Sequence, residues 1–212
     1  MYKLYNVKAM GSMCVHFLLE EMEVPYTNIW MTMEQVRAPE FRQLSPLGFV
    51  PALGLKDGRT LFETAAIITF LVTAHADKGL SPPPGSDDFG EFLAWLQLIN
   101  SNLYKALNMA FHGDFYAMTP AHNEFIVGKA IERCNALWEV IDDRLATEGP
   151  WLMGKTYSAL DSYAFMAANW GRPNEMAVLD KFPHVAKLAI AVRARPKLKA
   201  ALEAHGVMQP AG

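Results

Sequence analysis

Residues 45–64 hold the side chains and backbone groups most able to do chemistry. They read Ser45-Pro46-Leu47-Gly48-Phe49-Val50-Pro51-Ala52-Leu53, continue through Lys56-Asp57-Gly58, and end in Leu61-Phe62-Glu63-Thr64. Glu63-Thr64 puts a carboxylate and a hydroxyl between a short strand and an apolar helix. The first N–H groups of that helix have no partner of their own, and such a terminus attracts anions. Val50-Pro51 stands where a strand should begin. Proline tolerates a cis bond far better than other residues and is accepted as the first residue of a strand. In this order and spacing the residues predict a unit that grips a small peptide-like anion by backbone groups and a carboxylate.

The elements that must position this unit follow from periodicity. Residues 3–7 alternate as a strand. Ser12 is a plausible N-cap ahead of Val15, Leu18, Leu19 and Met22 at helical spacing. Residues 25–30 read as a second strand and 38–44 as a short helical piece. Residues 51–55 and 60–62 make a hairpin joined through Lys56-Asp57-Gly58-Arg59. A strongly apolar helix runs over 64–76. The order is β-α-β-α-β-β-α. Leu80-Ser81-Pro82-Pro83-Pro84-Gly85-Ser86-Asp87-Asp88 is then a stiff connector. Beyond it strand signals largely vanish. Helices are expected over 89–111, 122–146, from Ser158 to about Asn169, over 182–194 and over 196–205. The second of these offers Ile126, Ala130, Ile131, Leu137, Trp138 and Ile141 to the core. Ser158-Ala159-Leu160-Asp161 is a capping-box pattern with Asp in place of Glu. The expected organisation is an N-terminal domain over 1–78, a Pro-rich linker over 79–88 and an all-helical domain over 89–212.

Composition removes several function classes. A net charge of −3 and a pI near 6.1 leave no basic field for nucleic acid. No apolar run reaches the roughly 18 residues of a membrane span, and Met1-Tyr2-Lys3-Leu4-Tyr5 reads as an immediate strand, not a leader. Two cysteines, Cys14 and Cys134, without C-x-x-C, predict a reducing cytoplasm and no disulfide framework. The six histidines are scattered and support no metal site. Gly149-Pro-Trp-Leu-Met-Gly154-Lys155-Thr156 matches the P-loop pattern formally. It follows a helix end, where a P-loop follows a strand, so nucleotide binding is rejected.

Three of these segments together resemble the soluble glutathione transferase family over nearly the full length. Ser45-Pro-x-Gly-x-Val-Pro-x-Leu53 resembles its loop before a cis-proline, and Phe62-Glu63-Thr64-Ala65-Ala66-Ile67 its Glu-Ser-x-Ala-Ile signature. Trp151-Leu152-x-Gly154 with Ser158-x-x-Asp161 resembles its helical capping motif. The second half most resembles the bacterial beta-type branch, through Trp95-Leu96-x-x-Ile99-x-Ser101-x-Leu103-x-Lys105, Asn169-Trp170-Gly171-Arg172 and Ala194-Arg195-Pro196-x-Leu198-x-x-Ala201-Leu202. The resemblance implies an α+β two-domain fold: a thioredoxin-like N-terminal domain and a C-terminal all-α helical bundle, usually in a homodimer. That branch carries a cysteine near the start of the first helix and a histidine before the lysine that matches Lys105. Here those positions hold Gly11 and Tyr104.

The resemblance also implies site residues. Thr64 would hold the γ-glutamyl carboxylate of glutathione and Glu63 its ammonium. Val50, before Pro51, would pair with the cysteinyl unit by its backbone. Gln35 and Arg37, ahead of the second helix, would take the glycyl carboxylate. Ser12, at a helix N-terminus, is the first candidate to stabilise the thiolate, and Tyr104 and Tyr5 are competing hydroxyls. Cys14, inside the first helix, reads as a small buried hydrophobe. Met10, Phe111, Tyr116 and Trp170 would line an electrophile pocket between domains. The expected function is glutathione transfer to an electrophilic, mostly apolar small molecule, with glutathione as co-substrate and no metal. Alternatives on the same site are glutathione-dependent isomerisation, ether cleavage or dehalogenation. A different class is a binding protein that keeps the fold without the chemistry.

Overall fold

A computed structural model describes residues 1–171 and 173–210; Arg172, one residue of the resemblance above, lies outside the described residues. The first third of the chain forms β1 (Tyr2–Asn6), α1 (Met13–Met22), β2 (Tyr26–Trp30), α2 (Met33–Arg37), β3 (Ala52–Gly54), β4 (Thr60–Phe62) and α3 (Thr64–Ala74). The strands make one sheet in the order β2-β1-β3-β4. β1 runs parallel to β2 and antiparallel to β3, and β3 runs antiparallel to β4. This is the thioredoxin-like arrangement expected from the sequence.

Register decides what the sheet brings together. Ala52 sits opposite Tyr5 in β1 and opposite Phe62 in β4. One end of the sheet therefore collects three chain segments: the exit from β1 at Val7, the entry to β3 at Val50-Pro51, and the exit from β4 at Glu63-Thr64. Val7, Val36, Phe41 and Ala52 form a small buried cluster there, with Tyr5, Met31, Leu44 and Val50 packed against it. α1 is almost wholly buried, including Val15, Phe17, Leu18 and Leu19, because both the sheet side and the opposite side of the helix are covered.

Two local expectations change. The helical piece expected over 38–44 is a 3-10 turn, Pro39–Gln43, and a true helix, α2, precedes it. Thr32 caps α2 through a reciprocal capping box with Gln35. Ala38, before a proline, takes extended geometry and separates the two. Gln35 and Arg37 thus lie within the second helix instead of ahead of it.

The chain divides into two compact units, Met1–Gly90 with Arg193–Gln209, and Glu91–Val192 with Pro210. The sequence expectation gave all of 89–212 to the helical half; the C-terminal segment instead belongs with the first unit. It contains α10 (Lys199–His205), which buries Ala201, Leu202 and His205. Arg195 makes a two-pronged ion pair with buried Glu21, and Lys197 reaches Glu23 at 2.6 Å, so charge ties this segment to the end of α1.

The second unit is helical. α4 (Asp87–Gln97) runs through a π-helical turn (Leu98–Leu103) into α5 (Tyr104–Phe111). Next come α6 (Pro120–Glu148), α7 (Ala159–Ala168), α8 (Glu175–Lys181) and α9 (Pro183–Arg193). Along α6, Ala130, Leu137, Trp138 and Ile141 are buried as expected, whereas Ile126 and Ile131 are half-buried. α8 is not anticipated by the sequence reading; Asn174 caps it. Every residue of α7 is buried. Its large side chains, such as Phe165 and Met166, each contribute roughly 2 kcal/mol by leaving water.

Asp161 lets this apolar helix begin inside protein. Its Oδ1 accepts the Leu152 amide at 2.8 Å, and its Oδ2 accepts the Ser158 amide at 2.7 Å and the Ser158 hydroxyl at 3.1 Å. Asp161→Ala leaves these buried donors unmatched. The expected cost is about 3 kcal/mol in urea unfolding, with Asp161→Asn losing less because it keeps one acceptor.

Candidate functional site

The start of α3 is the clearest anion-binding feature of the first unit. Glu63 is its N-cap, no side chain caps the helix, and its first turn carries no acidic residue. The first amides of α3 therefore have no side-chain acceptor among the described residues, although the Glu63 carboxylate stands at the same helix end. Glu63 has φ +68, an uncommon value for a residue other than glycine. It is exposed, while Thr64 beside it is buried. Strain of this kind costs about 1–3 kcal/mol and collects at ligand sites. Flanking structure holds it: Phe62 is paired to Ala52, and Ala65 and Ile67 are buried.

The second part is the approach to β3. The Val50–Pro51 bond is cis. Ser45 organises the loop before it. Its carbonyl accepts the Gly48 amide at 2.8 Å and its hydroxyl the Phe49 amide at 3.3 Å. Gly48 has φ +67, and the Arg42 side chain lies across it, with Cγ 3.8 Å from where a Cβ would be. Val50 is half-buried on the Val7–Ala52 cluster. Among the described residues its peptide N–H and C=O make no hydrogen bond. They are open to a strand-like partner.

The third part is the loop over 7–12, and here an expectation fails. Ser12 is completely buried. Its hydroxyl accepts the Val7 amide at 3.0 Å and donates to the Val7 carbonyl at 3.4 Å. Both functions of the hydroxyl go to bracing the loop, so it is not offered to a ligand thiol. The tie that defeats the assignment joins a strand end to a helix start five residues on, where the sequence reads only as an ordinary cap. Tyr5 packs edge-on to Phe41 at 5.9 Å, as expected for a strand-end ring. Met10 is exposed.

Neither cysteine offers a nucleophile. Cys14 is fully buried, and burial pushes its thiol far above the usual range. Burial also pushes Cys134 up to about 11. Both thiols are therefore protonated at neutral pH.

Cations stand near the same sheet end. Arg37 and Arg42 are exposed, and among the described residues neither is in an ion pair. Gln35 commits its side-chain oxygen to the Thr32 amide at 2.8 Å and its own amide to the Thr32 hydroxyl, which leaves only its side-chain NH2 for a ligand. Arg42 was missed by sequence reasoning; only the return of the loop onto it at Gly48 marks it.

In the second unit, Tyr104 and Trp170 meet edge to face at 5.1 Å. Tyr116 accepts a hydrogen bond from the Lys105 ammonium at 2.6 Å and donates to Asn108 at 3.3 Å. Phe111 is exposed at the end of α5 against His112. The expected pocket residues thus form separate contacts within this unit, Tyr104 with Trp170 and Tyr116 with Lys105. A cavity of about 570 Å³ between α6 and α8 is rimmed by Glu132, Glu139, Asp142, Asp143 and Lys181 and contains none of the candidate residues. Among the described residues, no group of three or more His, Cys, Asp or Glu is placed to hold a metal, and no helix is long and apolar enough to cross a membrane.

Comparison with known proteins gives one family. The model described as glutathione S-transferase, N-terminal domain, matches residues 12–74, and the corresponding C-terminal domain matches 111–205. Glutathione S-transferase GstA of Escherichia coli O157:H7 is 26% identical over 208 residues, spanning 97% of this chain and 99% of that protein. The structure of a Xylella fastidiosa glutathione S-transferase superposes with a TM-score of 0.87 at 25% identity, covering 98% of this chain and all of that one. A sphingomonad glutathione S-transferase complexed with glutathione superposes with a TM-score of 0.82 at 25% identity, covering 97% and 99%.

The strain at Glu63 has a measurable consequence. Glu63→Gly removes the penalty of positive φ and is expected to stabilise the protein by about 1 kcal/mol. Thermal unfolding should then shift up by about 2–4 °C; a fall in midpoint would show that Glu63 makes a compensating contact.

Proposed function

Because the chain belongs to the glutathione S-transferase family, we propose that it binds glutathione at the sheet end of its first unit. There it activates the thiol and transfers it to an electrophilic carbon of a mostly apolar small molecule. One observation carries this reading: the uncapped start of α3 and the open Val50 peptide share one end of the sheet. A tripeptide with a carboxylate and ammonium at one end and an extended backbone beyond it matches both. Thr64 and the first amides of α3 take the γ-glutamyl carboxylate, and Glu63 takes its ammonium. Val50 pairs with the cysteinyl amide. Arg37 and the free side-chain NH2 of Gln35, joined by Arg42, take the glycyl carboxylate.

The reactive half works without an enzyme nucleophile. Both cysteines are buried thiols and Ser12 is committed to Val7. Thiolate stabilisation is left to the dipole of α1 and to the backbone of the loop that leads into it, where Met10 is exposed. The thiol loses its proton, sulfur bonds to the electrophilic carbon, and the leaving group departs with its electron pair. The enzyme contributes position and electrostatics. The same reading carries a homodimer, supported by the exposed Leu47, Phe49 and Phe62, and a reducing cytoplasm, supported by two free thiols.

Retention on immobilised glutathione tests the binding half, and halide release from a generic aryl halide tests the chemistry. Thr64→Val and Glu63→Gln should each weaken glutathione binding about tenfold, the loss of one charge-assisted hydrogen bond. Cys14→Ala should leave turnover unchanged. Unaltered affinity in both α3 variants would remove that helix from the site. Retention without turnover would favour the binding-protein reading.

A further inference from the structure

We propose that His205, in the C-terminal helix α10, is a positioning residue for the thiol-activating loop: its Nδ1 holds the Ala9 amide and thereby the left-handed turn that leads into α1. The proposal rests on the functional reading above and adds a part of the chain that reading does not use. Ala9 has φ +56, so this non-glycine turn needs an outside hold. Its amide donates to His205 Nδ1 at 3.0 Å across 196 residues of sequence.

That one bond fixes the state of a buried pair. A backbone amide can only donate, so His205 Nδ1 must accept, and in the neutral ring the proton sits on Nε2. Nε2 lies 3.0 Å from His16 Nδ1 and donates to it. His16 then carries its proton on Nε2, which faces Glu20 at 3.8 Å. Glu20 also accepts the Tyr26 hydroxyl. One imidazole therefore ties the loop to the body of α1. Burial first, then His16 and Lys8, pushes His205 down to about 3, which keeps Nδ1 an acceptor at neutral pH. Burial also lowers His16, against the pull of Glu20.

The ring itself is held. Trp30 packs edge-on to it at 5.1 Å and Phe17 at 5.8 Å. Lys8 lies across the next residue, Gly206, where an added Cβ would come within 3.2 Å of Lys8 Cε. With Arg195 on Glu21 and Lys197 on Glu23 at the far end, the C-terminal segment splints α1 at both ends.

Three variants separate positioning from general support. His205→Asn keeps an acceptor where Nδ1 stood, whereas His205→Gln keeps the partner of His16 and loses that acceptor. His205→Ala loses both. The readouts are the pKa of bound glutathione from thiolate absorbance, kcat and KM for glutathione, and exchange of the Ala9 amide by NMR. The Gln and Ala variants should raise the bound-thiol pKa by about one unit, about tenfold less thiolate at fixed pH. KM should change less than kcat, and the Ala9 amide should exchange faster. Asn should restore all three. Wild-type thiol pKa and kcat in the Gln and Ala variants, with only a lower melting point, would overturn the proposal, as would an Asn variant no better than Gln. If wild type binds no glutathione, the functional reading fails and exchange still decides: faster exchange in Gln with recovery in Asn supports the hold on Ala9, and equal exchange in all refutes it.

Discussion

The pairing of Ala52 with two strands at once is the constraint on which the first unit depends. Its register with Tyr5 and with Phe62 brings Val7, Val50 and Glu63 to one end of the sheet. Side chains alternate faces along a strand, so a slip of one residue would turn Leu53 out of the core and displace all three segments together. Burial enforces the register: Leu4, Ala52 and Leu53 are all without exposed surface. The groups proposed to bind the ligand are thus placed by core packing, with Thr64 buried and Val50 packed against the Val7–Ala52 cluster.

The two halves of the site differ in how they offer charge. At α3 the positive helix end is left uncapped, and the nearest carboxylate, Glu63, is held in a strained conformation beside it. At α1 the strained residue is Ala9, set among a serine that satisfies Val7, a histidine pair that burial keeps uncharged, and the neighbouring Lys8. On the proposed reading, geometry sets how well the amides of this loop are aimed at the ligand sulfur. That makes the loop over 7–12 sensitive to whatever holds it.

Much of this was legible in the sequence wherever the cause is local. The hairpin, the Glu63-Thr64 helix start, the Ser158–Asp161 capping box and the buried α7 are each written in residues a few positions apart. The failures share the opposite property. Ser12 looks like a cap but is bonded to Val7, and its role follows from how the loop closes. Arg42 gains a place only when Gly48 folds back over it. The Thr32–Gln35 capping box is equally local, yet the helix expected over 38–44 lies one turn beyond it, where the chain makes a 3-10 turn. The C-terminal segment looked like one more helix of the second half because its partners, Glu21, Glu23 and Ala9, lie nearly the whole chain away.

The absence of a usable enzyme thiol narrows the chemistry further than resemblance alone does. A cysteine-based exchange with glutathione disulfide needs a thiolate on the protein, and burial holds both Cys14 and Cys134 in the protonated form. On the proposed reading the thiolate is the ligand's own, stabilised by amides and a dipole whose aim depends on the Val7-to-Ser12 turn. The hydrogen bonds that shape the turn, between Ser12 and Val7 and from Ala9 to His205, then act on a reacting atom they never touch. Rate in such a site is governed by preorganisation. If the Ala9–His205 bond acts as proposed, the C-terminal helix bears on the chemistry although it is remote in sequence from every residue proposed to bind the ligand.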